Sequence, residues 1–325
     1  MLEYALRRLM AAIPLLWLIW TLTFVIGHLA PGDPLALYQG PNISRESLDT
    51  LRHVYGLDAP LPVQYLKQLG ALLTGHYPLS TSQGRPVAEI IGEACGPTLL
   101  LISLALAVQF LFGTLLGLLT AVRRGGGLDH GVSAISLFFY SIPTFWLGVE
   151  LVLLFSYRLG WFPPSQMRDV TLADPAAAGW MVDLLRHLAL PVLTLGLGGL
   201  ALTTRHMRSS LLEVIGLDYV RTARAQGLPE WRVIGRHALR NALMPLVTLA
   251  GLSLPVLFSG TVVVEVIFSW PGMGQVAFNA ILARDYPLIQ AVTLMTAALV
   301  VAGSLLADIA AAAVDPRVRL GHQPS

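Results

Sequence analysis

The sequence predicts an all-α integral membrane protein, and three features of its composition and patterning support this. Hydrophobic residues make up 55% of the 325 residues and charged residues only 12%, whereas a soluble chain carries about 25% charged residues. Apolar runs recur along the chain, each close to the roughly 20 residues that a helix needs to cross a bilayer. Arginines concentrate in the breaks between these runs. The pattern excludes an ordinary soluble domain.

Six of the apolar runs are predicted to be transmembrane helices, at about 9–30, 98–121, 132–157, 188–204, 243–265 and 288–313. The first run follows Arg7 and Arg8, as the apolar part of a signal peptide does. It is too long for a signal peptide, however, and Pro31-Gly32-Asp33-Pro34 follows it in place of a small-residue cleavage site. We therefore expect an uncleaved first helix.

The distribution of basic residues predicts the orientation of these helices. With the N-terminus inside, the inner segments hold 13 of the 21 lysines and arginines, and these segments are 1–8, 122–131, 205–241 and 315–325. Cytoplasmic loops of membrane proteins carry such an excess. Both termini are therefore expected in the cytoplasm. A basic segment can also bind nucleic acid, but so close to apolar spans it indicates topology, and no nucleic-acid partner is expected.

The chain is expected to consist of three parts. Residues 1–30 form a cytoplasmic N-terminus with the first helix, and residues 97–325 form a transmembrane core with a cytoplasmic loop at about 205–241. Between them, residues 31–96 are mostly polar and are expected to form a small extracytoplasmic lid or scoop. The helical spacing of leucines and Val63 between Pro62 and Leu73 predicts a short amphipathic helix there, outside the membrane.

No nucleotide-binding loop is present in the sequence. A phosphate-binding loop needs a glycine-rich turn that ends in Gly-Lys-Ser or Gly-Lys-Thr. The single lysine, Lys67, lies in Tyr65-Leu66-Lys67-Gln68 and meets neither requirement. If ATP drives this protein, another subunit must bind it, and we expect no cofactor in this chain. Cys95 is the only cysteine, so no thiolate cluster can form, and no metal site is expected.

Few ionisable side chains lie within the apolar runs, which weighs against an ion-coupled transporter. Such residues are costly in a bilayer and tend to be functional. Of the four, His28 and Glu265 are expected to reach the outer interface and Asp308 the inner one. Glu150 is the candidate for a translocation path. The alternative is that its carboxyl group is hydrogen-bonded to a neighbouring helix.

The loop at 205–241 is predicted to contain two short helices. Asp218 can cap the first, which then runs from Tyr219 to Gln226 without a breaker. Gly227 tolerates the left-handed geometry of a helix end, and Pro229 suits the first turn of the second helix. We therefore expect a bend at Gly227-Leu228-Pro229. The arginines here could do no more than set topology, or they could contact another protein.

In this loop the chain resembles the permease subunits of ATP-binding-cassette importers, in the branch that carries dipeptides, oligopeptides and nickel. The general E-A-A-x-x-x-G motif of their coupling loop matches poorly, since Arg221, Thr222 and Ala223 take the first three places. The branch pattern R-T-A-R-A-K-G matches residues 221–227 with one change, Gln226, and H-A-L-R-N-A matches residues 237–242 throughout.

The resemblance covers nearly the whole chain. Further similar stretches are 6–9 with 31–34, 55–58, 141–146, 268–274, 284–287 and 315–319. The chain departs from the branch at Gly75-His76-Tyr77-Pro78-Leu79-Ser80, where the usual pattern is G-D-L-G-x-S. The shape of the outer segment is the part that this departure puts in question.

The resemblance implies a type I importer permease fold in the bacterial inner membrane. It also implies a second permease subunit, two ATPase subunits and an extracytoplasmic solute-binding protein as partners, with short peptides as substrate. Nickel or metal-chelate uptake stays open within the family, and an ion-coupled secondary transporter outside it. The residues expected to couple to the ATPase are Tyr219, Arg221, Thr222, Ala223, Arg224 and Gly227. Ala223→Glu and Arg224→Glu are expected to uncouple hydrolysis from transport without preventing membrane insertion.

Overall fold

A computed structural model describes residues 2–29, 46, 50, 52–53, 58–74, 79–169 and 179–314. The expected start of the outer segment at Pro31–Pro34, its departure from the family pattern at 75–78 and the motif at 315–319 lie outside these residues. Of the 31–96 segment, the structure describes residues 46, 50, 52–53, 58–74 and 79–96.

The described residues are almost entirely helical. We number the helices α1 Leu2–Leu29, α2 Leu61–Thr74, α3 Val87–Val122, α4 Gly127–Ser141, α5 Thr144–Leu151, α6 Trp180–Ile215, α7 Asp218–Ala225, α8 from Glu230 to Ala242, α9 Met244–Ile267, α10 Met273–Ala283 and α11 Tyr286–Val314. Helix α5 continues as a π-helical stretch, Val152–Arg158, and α8 contains another, Val233–Ala238. The fold is therefore all-α, as the composition predicts.

Five of the helices in the described part of the chain are long and apolar enough to cross a membrane. Their apolar parts are Leu9–Leu29, Val87–Val122, Trp180–Ile215, Met244–Ile267 and Tyr286–Ile309. These contain the first, fifth and sixth predicted spans almost entirely, and the second and fourth in full. A sixth span exists only if the bent pair α4 and α5 is counted as one.

The third predicted span, 132–157, is not one continuous helix. It is divided into α4 and α5, and the two axes are bent by 104°. The cause is local: Ile142 has extended geometry with ψ 130°, and Pro143 begins the next helix. A residue before proline is pushed out of the helical region, and proline has no N–H to continue the hydrogen-bond ladder.

The fourth predicted span, 188–204, is too short, and the predicted start of the basic loop is wrong. Helix α6 runs over 36 residues, which is about 54 Å at the usual rise. It exceeds the roughly 30 Å of a hydrocarbon core. Arg205 and Arg208 lie on this helix rather than in a loop. No glycine or proline lies between Gly199 and Gly216, so the helix continues past the point where the apolar run ends.

The chain separates into two compact units, the larger built mainly from Leu99–Trp270. Within it, α3 and α6 pack at close range through small residues. A Cβ added at Gly117 would lie 2.5 Å from the Met207 Cβ, and one at Gly113 would lie 2.7 Å from the Thr203 Cβ. Small residues allow helices to approach closely in membrane proteins. The Gln109 amide also donates to the Thr203 hydroxyl at 3.2 Å.

The smaller unit draws on Leu6–Thr98 and Pro271–Leu299. These two stretches of chain are joined by Asp285, which is fully buried. The Asp285 carboxylate accepts hydrogen bonds from the Ser80 hydroxyl, from the Ser82 hydroxyl at 2.7 Å and from the Ser82 N–H at 2.9 Å. Its other oxygen accepts from the Leu288 N–H at 3.2 Å and so caps α11. We call Asp285, Ser80 and Ser82 the Asp285 network.

Helix α2 coincides with the predicted amphipathic helix. It lies against α1, where the Tyr65 and Thr21 hydroxyl oxygens are 2.9 Å apart. The Gln64 amide oxygen is 3.2 Å from the His28 ring. The helix is confirmed, and its expected position outside the membrane stays a prediction.

Candidate functional site

The candidate site is a helical hairpin formed by residues 218–242, which we call the basic hairpin. Its first arm is α7 and its second arm is α8. The second arm changes from α- to π-helical geometry at Val233 and returns to α-helical geometry at Leu239. The arms meet at Gly227, whose φ of +78° lies in the left-handed region. The predicted pair of short helices and the bend between them are confirmed.

The first turn of α7 differs from the prediction by one position. Leu217, not Asp218, precedes the helix, because the Leu217 carbonyl accepts the first helical hydrogen bonds, from the Val220 and Arg221 N–H groups. Asp218 is the first helical residue, and its side chain is 97% exposed. The predicted capping role of Asp218 is therefore wrong. A carboxylate in this first turn still favours the helix through the dipole.

One face of the basic hairpin is buried in the larger unit. Val220 and Ala223 of α7 pack in a cluster with residues of α6, α8 and α9, which include Met207, Leu211, Val233, Ala238, Ala242 and Leu246. Ala223 is 4% exposed. Ala223 is among the residues expected to couple to an ATPase, but its methyl group packs in the chain's own core and is not exposed for contact with another protein. Ala225 is the small residue of this helix that is exposed.

Polar contacts fasten the two arms to each other and to α6. The Asn241 amide donates to the Tyr219 hydroxyl at 2.7 Å, and the Ser210 hydroxyl donates to the Ala242 carbonyl at 2.9 Å. The first contact joins the two arms, and the second ties the motif at 237–242 to α6. The alanines of the second motif are packing residues, a role that sequence reasoning did not assign to them.

The arginines of α7 are already engaged within the hairpin, to different degrees. Arg224 lies 2.6 Å from Glu230 across the bend, and both are partly exposed. The hydrogen bonds from Arg224 hold the pKa of the Glu230 carboxyl below its ordinary value. Arg221 is 3.6 Å from Asp218 and is 70% exposed. Arg221 is thus the freer of the two cations for contact with another protein.

The opposite face of α7 is open. Tyr219, Arg221, Thr222 and Ala225 are exposed there, and the Thr222 hydroxyl donates back to the Asp218 carbonyl at 2.9 Å. Of the predicted coupling residues, the structure therefore leaves Tyr219, Arg221 and Thr222 exposed. Arg224 lies beside the bend, Gly227 lies at the bend, and Ala223 lies on the buried face of α7.

Glu150 lies apart from the basic hairpin, on α5. Its side chain is half-buried, and within the described part of the chain no polar group lies at hydrogen-bonding distance from it. The alternative of a hydrogen bond to a neighbouring helix is thus not seen among those residues. Glu265 is fully buried on α9, so its side chain does not reach solvent, and its expected depth at the outer interface stays a prediction. Hydropathy alone could not show this burial, because Glu265 lies near the end of its apolar run.

Sequence reasoning also missed an ion pair between helices. Arg208 donates to Asp129 through two hydrogen bonds of 2.9 and 2.8 Å. Asp129 is buried and also accepts from the Gly125 N–H at 2.9 Å. Such a two-point pair fixes geometry as well as charge. Arg208, one of the clustered arginines, therefore has a structural role.

Among the described residues, no group of three or more histidine, cysteine or acidic side chains could hold a metal ion.

Comparison with known proteins gives family matches along almost all of the chain. The model described as "Binding-protein-dependent transport system inner membrane component" matches residues 113–320, and the model of its N-terminal region matches residues 1–103. A chain from inward-facing structures of the MetNI methionine ABC transporter aligns with a TM-score of 0.57 and 21% identity. The alignment covers 71% of this chain and 98% of that one. At this identity, the likeness shows the fold alone.

Curated relatives extend over the same range. The oligopeptide transport system permease protein AppB of Bacillus subtilis is 40% identical over 319 residues, which covers 98% of this chain and 99% of the relative. The di/tripeptide transport system permease protein DppB of Pseudomonas aeruginosa is 40% identical over 341 residues, with 99% and 100% covered. The glutathione transport system permease protein GsiC of Escherichia coli is 36% identical over 319 residues, with 98% and 99% covered. With these matches, the chain belongs to the family of binding-protein-dependent transport system inner membrane components.

Proposed function

We propose that this chain is the permease subunit of an importer that carries short peptides across the bacterial inner membrane. The observation that carries the proposal is the 40% identity, over nearly the full length, to permeases named for oligopeptides and for di- and tripeptides. ATP hydrolysis on a separate subunit would drive the movement, since the sequence contains no nucleotide-binding loop of its own. Both termini and the basic hairpin would face the cytoplasm.

The assembly proposed around this chain has a second permease subunit, two ATPase subunits and an extracytoplasmic solute-binding protein. The exposed face of α7 would contact the ATPase. Arg221 supports this role because its charge is exposed and only loosely paired with Asp218. Tyr219 and Thr222 lie beside it on the surface. Arg224 and Gly227 would hold the bend, and Ala223 would anchor the helix from below.

The translocation path would run between the two permease subunits, and Glu150 is the residue proposed to line it. Its half-buried carboxylate has no polar partner among the described residues. An intramembrane carboxylate in that state is costly unless water or a ligand reaches it. A peptide ammonium group is one ligand that it could meet during passage.

Reconstitution tests the proposal directly. Proteoliposomes that contain this chain, its permease partner and the ATPase, with the binding protein added outside, are expected to accumulate a labelled dipeptide only when ATP is present inside. An ATPase variant without its phosphate-binding lysine is the control. Uptake without any ATPase subunit would indicate a secondary transporter instead. Uptake of a nickel chelate but of no peptide would contradict the substrate.

The role of the basic hairpin needs its own test, because its arginines could serve only to set topology. Arg221→Glu is expected to lower ATP-dependent uptake by about tenfold or more, since it reverses a charge at a protein interface. Membrane insertion should be unchanged. Arg124→Glu is the matched control, because Arg124 is exposed in another segment predicted to be cytoplasmic. Equal loss in both variants, with altered topology, would leave the hairpin as a topology signal only.

A further inference from the structure

A charged cavity of about 600 Å³ lies in the larger unit, away from the basic hairpin. It is formed by the segment from Ser156 to Asp169 and by the first two turns of α6. Pockets that hold small ligands have volumes of about 300–1,000 Å³. The positive-inside pattern places this segment on the extracytoplasmic side, from which an importer receives its substrate.

The lining of the cavity carries both signs of charge in equal number. Arg168 and Arg186 supply two cations, and Asp169 and Asp183 supply two anions. A site for phosphate or another plain anion would have cations in excess, because only the cations favour the ligand. Balanced charges instead fit a ligand that carries both signs. A short peptide with free termini is such a ligand, with one ammonium group and one carboxylate.

The two arginines retain capacity to bind a carboxylate. Arg186 donates one hydrogen bond, at 3.0 Å, to the Trp161 carbonyl, and Arg168 lies 5.5 Å from the centre of the Trp180 ring. A guanidinium has five donors, so these contacts within the described part of the chain leave each arginine several donors for a ligand. Arginine binds carboxylates in a two-point geometry that lysine cannot reproduce.

The acidic side of the cavity is held in a fixed position. The Asp183 carboxylate accepts a hydrogen bond of 3.0 Å from the Asp169 N–H and lies 3.2 Å from the His187 ring. The side chains of His187 and Asp183 are 6% and 13% exposed, so they form the buried floor. A carboxylate held this way can accept hydrogen bonds from an ammonium group without reordering.

Another part of the lining, around Pro163, Pro164 and Gln166, is also fixed. Pro163 and Pro164 have restricted backbones. The Gln166 N–H donates to the Phe268 carbonyl at 2.7 Å, and Gln166 itself has a φ of +70°. A preformed site loses less conformational freedom on binding than a flexible loop does.

From these observations we propose that the cavity is a peptide-binding site at the extracytoplasmic entrance of the permease. Arg168 and Arg186 bind the C-terminal carboxylate, and Asp183, supported by His187, binds the N-terminal ammonium group. Phe162 and the two prolines contact the peptide's apolar side chains. The inference rests on the proposed function in its choice of peptides as the ligand class. The site would hold peptides as they leave the binding protein.

Binding of a labelled dipeptide, alanyl-leucine, to the assembled transporter without the binding protein tests the site. Equilibrium dialysis is expected to show binding that weakens about fivefold or more in Arg186→Gln and in Arg168→Gln, the loss from one partly exposed charged contact. The control is Arg158→Gln, whose arginine is exposed on the same segment and does not line the cavity. Equal affinity in all four proteins would overturn the proposal.

Changing the peptide gives a second measurement, in which different ligands are compared on one and the same variant. In a Cys95→Ala background, Ser165→Cys places a thiol in the lining. Alanyl-leucine should protect this thiol from a maleimide, whereas the C-terminal amide or the N-acetylated peptide should protect it much less. Equal protection by inorganic phosphate would identify an anion site and overturn the peptide assignment.

Uptake separates this inference from the proposed function. If the unsubstituted transporter accumulates the dipeptide with ATP but neither dialysis nor protection detects it at the cavity, the cavity assignment fails and the permease assignment stands. If dipeptide binds the cavity but ATP drives no uptake of it, the proposed function fails instead.

Discussion

The basic hairpin and the Asp285 network are two connecting regions that are fixed in opposite ways. The hairpin is held by apolar packing of Val220, Ala223 and the alanines of α8, and its charges remain at the surface. In the Asp285 network the charge is at the centre, fully buried, and hydroxyl and N–H groups from residues 80 and 82 converge on it. A surface that must meet another protein keeps its polar groups available, whereas a purely structural junction can use all of them internally.

The largest effect on stability is expected from a change at the buried carboxylate of Asp285. Asp285→Asn places an amide where several donors converge, so at least one donor loses its acceptor in a buried site. We expect a loss of about 3 kcal/mol of unfolding free energy, seen as a melting temperature lower by about 6 °C or more in detergent. Asp218→Asn, at an exposed carboxylate, should change little. Similar melting temperatures for the two variants would remove the distinction between the regions.

The next comparison is between two alanines of the same helix. Ala223→Glu puts a charge into the apolar underside of the hairpin and should cost about 2–4 kcal/mol. Ala225→Glu lies on the open face, so it should leave the melting temperature within about 2 °C and still lower ATP-dependent uptake. Thermal unfolding and uptake of both variants provide the check. A stable Ala223→Glu protein would show that this face is not the packed one.

A smaller effect is expected at the bend. Gly227→Ala forces a Cβ into left-handed geometry, at a cost of about 1 kcal/mol. Gly235→Ala is the matched control, because Gly235 is helical and no other atom lies within 4 Å of its Cβ position. That change should be neutral or slightly stabilising. Equal melting temperatures in the two variants would indicate that the bend adapts without strain.

The smallest effect concerns the exposed Arg224–Glu230 pair. Because the pKa of Glu230 is lower in the folded hairpin, its contribution to stability is present above the ordinary glutamate pKa of about 4.3. It is lost as pH falls through the lowered pKa. In carboxyl-carbon NMR titrations, Arg224→Gln should raise the Glu230 pKa toward its ordinary value. An unchanged titration would show that the pair does not persist in solution.

Local sequence signals predicted the hairpin more accurately than the helices around it. Gly227 and Pro229 act through their own backbone geometry, so the two arms and the bend could be placed within a residue or two. The 104° bend after Ile142 also has a local cause in Pro143, but an apolar run long enough to span the bilayer concealed it. The extension of α6 through Arg205 and Arg208 was missed because hydropathy marks where a membrane ends and not where a helix ends.

Composition and periodicity by themselves determined that this is an all-α membrane protein and where its apolar segments lie, and the resemblance to its family rests on short motifs. Those properties follow from single residues and from short spacings. Only the tertiary structure decided that Ala223 faces inward, that Asp285 meets Ser80 and Ser82 about 200 positions away, and that two arginines and two aspartates share one cavity. These outcomes depend on which helix faces pack together, and that choice is made by the whole chain.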